Sequence, residues 1–99
     1  MTQLSETQKR HLRRLGHDLK PVVRTGSNGL TDAVMNEIAI ALRDHELMKV
    51  KLVADDRAQR RAFLERILEE CDAMLVQAVG HTALIYRSNP KKTHRIALP

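Results

Sequence analysis

The chain predicts an α/β domain with elements in the order α-β-α-β-α-β-β, packed as two layers around a mixed four-stranded sheet. Three observations carry this. Apolar residues recur at helical spacing in three segments and alternate with polar ones in the stretches between. Helices that alternate with strands call for a sheet covered by helices. The last two strand candidates are separated only by Gly80-His81, so they form a hairpin, run antiparallel and make the sheet mixed. With 99 residues, 42% of them apolar, one core can be built, and a single domain over residues 4–98 with a basic C-terminal tail is expected.

Ser5-Glu6-Thr7-Gln8 reads as a capping box, the Ser5 hydroxyl accepting the Gln8 amide while the Gln8 side chain reaches back. The helix it opens runs to about Leu15, with Leu12, Leu15 and Leu19 as its apolar stripe and Gly16 expected to end it in a left-handed conformation. Leu19 to Arg24 is a strand, with Pro21 at its first residue or on a sheet edge. After a tight loop, Thr31 caps a second helix; Leu30 staples onto Met35, and Val34, Ile38, Ala41 and Leu42 face the core. Glu46 to Val53 alternates, placing Met48, Val50 and Leu52 on one face and Lys49 and Lys51 on the other. Asp55-Asp56 opens a third helix that carries Ala62, Phe63, Ile67, Leu68 and Cys71 inward. Ala73–Val79 and Thr82–Arg87 form the hairpin, and Ile96-Ala97-Leu98 either docks or adds a short strand.

Formal net charge is +5, and its distribution is uneven: residues 1–26 carry +4, residues 81–99 another +4, and residues 27–80 carry −3. The two ends are expected to converge on one electropositive face, which would attract a polyanion; the alternative is that basic tails serve solubility. A single cysteine, Cys71, forms no internal disulfide and points to a reducing compartment. No apolar run approaches the roughly 20 residues of a membrane span, and the N-terminus lacks a secretory pattern. A cytoplasmic location is therefore expected, and, separately, a monomer. The five histidines are dispersed, with no zinc-ligand spacing and no phosphate loop of the G-x-x-x-x-G-K-[ST] kind, so no enzyme, metal or cofactor is expected.

The segment that carries chemistry is Gly26-Ser27-Asn28-Gly29, between a strand and a capped helix. Loop amides and the first free amides of the helix can together hold a phosphate, aided by the helix dipole, and KH domains clamp a nucleic-acid backbone with such a G-x-x-G loop. Arg24 stands just ahead of the loop, with Lys20 further back on the same side of the strand. Further contacts are expected from Lys9, Arg10, Arg13 and Arg14 on the first helix, from Lys49 and Lys51 on the second strand, and from a mobile arm bearing Lys91, Lys92 and Arg95. Phe63 is assigned to the core, which leaves Tyr86 as the one aromatic free to stack. Single-strand readers present several, so the expected target is folded RNA gripped by backbone and shape. The rival is a protein-binding adapter offering the same basic face to an acidic partner.

Three blocks in order, Leu15-Gly16-His17-Asp18-Leu19-Lys20-Pro21-Val22-Val23, then Gly26-Ser27-Asn28-Gly29-Leu30-Thr31, then His45-Glu46-Leu47-Met48-Lys49-Val50-Lys51, together with Tyr86-Arg87, give the chain its resemblance. It resembles the CRM domain (chloroplast RNA splicing and ribosome maturation) in its stand-alone bacterial, YhbY-like form, over roughly Leu4 to Leu98. Gly16-His17 departs from the family's usual Ala-His. The resemblance implies a fold similar to the C-terminal domain of translation initiation factor 3 and RNA binding through the G-x-x-G loop. For stand-alone members it also implies association with ribosomal RNA in precursors of the large subunit, the pre-50S particles of ribosome biogenesis.

Overall fold

The structure, a computed structural model, describes residues 3–93 and 95–99. Its elements are α1 (Glu6–Gly16), β1 (Pro21–Arg24), α2 (Asp32–His45), β2 (Leu47–Lys51), α3 (Arg57–Glu70), β3 (Met74–Val79) and β4 (Thr82–Tyr86), in the expected order. The sheet runs β1-β2-β4-β3, with β1 parallel to β2 and both other pairings antiparallel. Pro21 opens an edge strand, where its missing N–H costs no ladder bond. Both edge strands are irregular: β1 carries a bulge between Pro21 and Val23, and β3 one between Leu75 and Gln77.

Local chemistry explains the helix starts. Ser5 and Gln8 form the capping box, Thr31 Oγ1 accepts the Val34 amide at 3.2 Å, and Asp56 Oδ1 accepts the Gln59 amide at 2.7 Å. Residue alternation along the strands then divides the core. On one face Val23, Met48, Val50, Ala83 and Ile85 pack under Met35, Ile38 and Leu42 of α2 and Ile67 of α3. On the other, Leu47, Val76, Leu84 and Tyr86 pack under Leu12 of α1 and against Leu4, Ile96 and Leu98. The expected two layers are thus present, and α1 with the C-terminal segment adds a partial third.

Several expectations need correction. Gly16 does not take a left-handed conformation, since His17 caps α1 with right-handed angles. A Cβ at Gly16 would sit 2.6 Å from Leu84 Cδ2, so glycine is there for close approach to the sheet. Leu15 and Leu19 are exposed and only Leu12 is buried, which makes the stripe one residue wide. Ala62 is exposed rather than inward. The second strand begins at Leu47, because Glu46 is the α2 cap with φ 61°. Tyr86 is 1% exposed and cannot stack on a ligand.

Nor is the C-terminal segment a free arm. Glu46 is fully buried, and its carboxylate accepts the amides of Asn89 and Ile96, each at 2.9 Å, while Arg95 Nε lies 4.0 Å away. Arg95 also donates to Ser88 Oγ at 2.9 Å. Ile96 and Leu98 dock on the α1 side, and Gln8 Nε2 donates to the Pro99 carbonyl at 3.3 Å. His94 lies outside the described residues.

Candidate nucleic-acid interface

The Gly26–Gly29 loop follows β1 at the end of the sheet where β2 also ends. Gly26, Ser27 and Asn28 are exposed and Gly29 is half-buried, so the strand-to-helix junction is open. The loop is one β-turn, with the Gly29 amide donating to the Gly26 carbonyl at 3.0 Å. Gly29 has φ 74°, where an L-residue is strained, whereas Gly26 lies outside the left-handed region. Among the described residues the Ser27 and Asn28 amides have no intramolecular acceptor, and both residues are exposed to solvent.

Three groups hold this turn in place. Thr25 is buried; its hydroxyl donates to the Val53 carbonyl at 2.9 Å and accepts the Val53 amide at 2.7 Å, tying the entry to the end of β2. Arg66 holds the exit, donating to the Leu30 carbonyl at 2.8 Å and to Asp32 at 3.2 Å while bonded to Glu70 at 2.7 Å. The hydrogen bond to Glu70 raises the already high Arg66 pKa, with partial burial opposing and Asp32 adding. Asp32 therefore faces a cation instead of standing bare beside the turn. Phe63 supports the turn from below, its ring Cζ 3.2 Å from where a Gly29 Cβ would lie. The resulting depression is lined by Gly26 to Leu30, Val53 to Asp55, Gln59 and Phe63.

The predicted cations are distributed unevenly about it. Arg24 and Lys51 are register partners on the face opposite α2 and α3. Lys20 precedes β1, and the bulge beyond Pro21 interrupts the alternation expected to align it with Arg24. Lys49 Nζ donates to the His17 carbonyl at 3.3 Å, where it complements the C-terminus of α1. Arg10, Arg13 and Arg14 line one depression with His17, Asp18 and Gln77, while Lys9 stands 3.9 Å from Glu6.

The two termini meet through Gln8, Leu4 and Leu12 against Ile96, Leu98 and Pro99, yet their basic residues do not gather there and the C-terminal ones stand away from the loop. Leu47, Tyr86 and Met74 form one end row of the sheet, and Lys51, Thr82 and Val79 the other. The loop follows Arg24, beside Lys51; the C-terminal segment leaves Tyr86 at the opposite row. Antiparallel β4 makes this unavoidable. Lys91 lines a depression with Asn36, Ile40 and Arg43 of α2, Lys92 follows it in a turn closed onto the Asn89 carbonyl, and Arg95 lies over Glu46. The expected convergence of both ends around the loop is therefore not what the fold builds. What stands at the loop's end instead is Arg57, Arg60 and Arg61, with His81. These were missed because acids elsewhere in residues 27–80 outweigh them in a segment sum.

Among the described residues no cluster of three or more His, Cys, Asp or Glu could hold a metal, and no helix is long and apolar enough to cross a membrane. Burial pushes the Cys71 thiol up, Glu70 adding and Arg87 opposing, which suits a structural role.

Comparison with known proteins gives a consistent picture. Residues 4–87 match the model of the CRS1 / YhbY (CRM) domain. The Haemophilus influenzae protein named "RNA-binding protein" is 44% identical over 99 residues, covering 100% of this chain and 98% of its own length. "Probable RNA-binding protein PA4753" of Pseudomonas aeruginosa is 44% identical over 94 residues, covering 95% of this chain and 90% of its own. Among solved structures, that of SAV1595 from Staphylococcus aureus is similar with a TM-score of 0.80 and 31% identity, covering 97% of this chain and 99% of that one.

Proposed function

Since the chain belongs to the CRS1 / YhbY (CRM) domain family, we propose that it binds folded RNA, seating a backbone phosphate on the Gly26–Gly29 turn. The observation that carries this reading is the open turn whose Ser27 and Asn28 amides lack partners among the described residues, braced by Thr25, Phe63 and Arg66. The names of the two relatives, each near-complete in length, support RNA as the partner. Neither names an enzyme.

Arg24 and Lys51 stand next to the turn and take adjacent phosphates. Arg10, Arg13 and Arg14 extend the contact along α1, with Lys9 and Lys20 at its margins. Lys49 supports the α1 end and contributes field there. Lys91, Lys92 and Arg95 contact RNA only if it wraps to the far end of the sheet. Ribosomal RNA in a large-subunit precursor is the target we favour, since the family resemblance implies it and backbone recognition suits a large folded RNA. The protein acts as a cytoplasmic monomer in this reading.

Gly26→Ala tests it cleanly. A Cβ at Gly26 meets nothing within 4 Å and needs no forbidden angle, so the fold stands. The methyl intrudes only on a ligand lying against the turn. Affinity for an rRNA fragment should fall about tenfold, ~1.4 kcal/mol, with the melting curve unchanged. Retention of affinity within about twofold, ~0.4 kcal/mol, removes the turn from the interface. Ribonuclease treatment of the cellular complex separates the adapter reading, because a protein partner would stay attached.

A further inference from the structure

The strongest charged feature outside the residues named so far as RNA contacts is the beginning of α3. Arg57, Arg60 and Arg61 line one depression with His81 of the β3–β4 turn, over a floor that includes Leu52, Leu64 and Ala83. Arg60 Nη1 lies 2.7 Å from His81 Nδ1. Arginine can only donate, so Nδ1 accepts, and the ring proton of a neutral His81 sits on Nε2.

Two observations say these arginines are not there for the fold. Among the described residues none of the three has a carboxylate within 4.0 Å, while Arg66 on the same helix bonds both Asp32 and Glu70. Within α3 itself the cations stand in the first turns, where the dipole favours anions and only the Asp56 cap and Asp55 ahead of it supply negative charge, while Glu69 and Glu70 occupy the last turn, where cations are favoured. Three guanidinium groups without a carboxylate partner, only Arg60 of them held by a side chain, that of His81, point to a role outside stability.

Their position supplies the role. The connection from β2 into α3 borders both depressions: Val53 to Asp55, Gln59 and Phe63 face the Gly26–Gly29 turn, and Arg57, Arg60, Arg61 and Leu64 face the β3–β4 turn. The two are separated by the width of one helix, roughly 10 Å. We propose that Arg57, Arg60 and Arg61 form a second RNA-backbone site, which takes the strand after it crosses α3 from the Gly26–Gly29 turn. Guanidinium groups match phosphate oxygens two at a time, which a bare turn cannot do. The inference rests on the RNA-binding reading and adds to it a direction for the bound strand.

The test uses the whole chain and a fluorescein-labelled RNA hairpin with single-stranded flanks. The slope of log affinity against log salt should be shallower by about two in the Arg57→Gln/Arg60→Gln/Arg61→Gln variant, reflecting two or three lost phosphate contacts. That variant should melt close to wild type, because the arginines are exposed or half-buried and none has a carboxylate within 4.0 Å. Amide NMR titration of the wild-type protein gives a readout independent of any variant: the RNA should shift residues 57–61 and 80–82 as well as 26–31. Shifts confined to 26–31, or an unchanged slope, overturn the second site and leave the turn reading intact. Shifts at 57–61 caused by polyglutamate and not by the hairpin assign the surface to an acidic protein and overturn the proposal. A wild-type protein that fails to bind the hairpin fails the RNA reading itself.

Discussion

Two glycines of the same tetrapeptide have different jobs. Gly29 sits at φ 74° with the Phe63 ring 3.2 Å from its missing Cβ, so it belongs to the fold. Gly26 has neither constraint. Gly29→Ala should therefore lower stability by about 1–2 kcal/mol, the cost of an L-residue in the left-handed region, readable in urea denaturation. A loss of RNA binding in that variant would report on folding, whereas the same loss in Gly26→Ala reports on contact. At Cys71, burial raises the thiol pKa and holds the group protonated. Alkylation by iodoacetamide at neutral pH should be slow in the native protein and fast in denaturant, because the thiolate is the reactive form. Fast native labelling would show that α3 opens at its C-terminal end.

Elements with local signatures were legible from sequence, and those held by distant partners were not. The capping box at Ser5, the Thr31 cap and the Asp-initiated α3 each involve groups within four residues, so a short window reveals them. Glu46 reads as an ordinary strand-edge acid, yet its partners Asn89 and Ile96 lie 43 and 50 residues away. Glu46→Gln replaces one acceptor oxygen by a donor facing an amide, which should cost about 1–3 kcal/mol. Increased protease sensitivity over residues 90–99 would confirm that Glu46 is what anchors the C-terminal segment. The end of α1 offers a second check. Gly16→Ala drives a methyl into buried Leu84, and overpacking of this kind costs about 1–3 kcal/mol. Adding Leu84→Val withdraws both obstructing Cδ atoms, so the double variant should be more stable than Gly16→Ala alone. Equal stability of the two would mean that α1 shifts outward instead.

For the molecule as a whole, net charge points to a polyanion, and topology decides where the cations stand. Summing charge over segments directed attention to the termini, and the strand directions then carried the C-terminal group away from the Gly26–Gly29 turn. The arginines of α3 were hidden by the same averaging, since Glu65, Glu69 and Glu70 follow them on one helix. For Lys20 the strand period gives no orientation, because a bulge in β1 lies between it and Arg24. If RNA contacts six phosphates, affinity should drop about a thousandfold between roughly 50 and 200 mM salt. A nearly flat dependence would instead indicate recognition dominated by uncharged contacts.

The irregularities in both outer strands have a bearing on behaviour at high concentration. A straight, unpaired border invites a second copy to continue the ladder, the first step toward fibrils. Here one border begins with a proline and is kinked, and the other is kinked at Val76, its exposed end closing in a tight turn. Straightening them, for instance by deleting Val22, would furnish the template that the natural chain withholds.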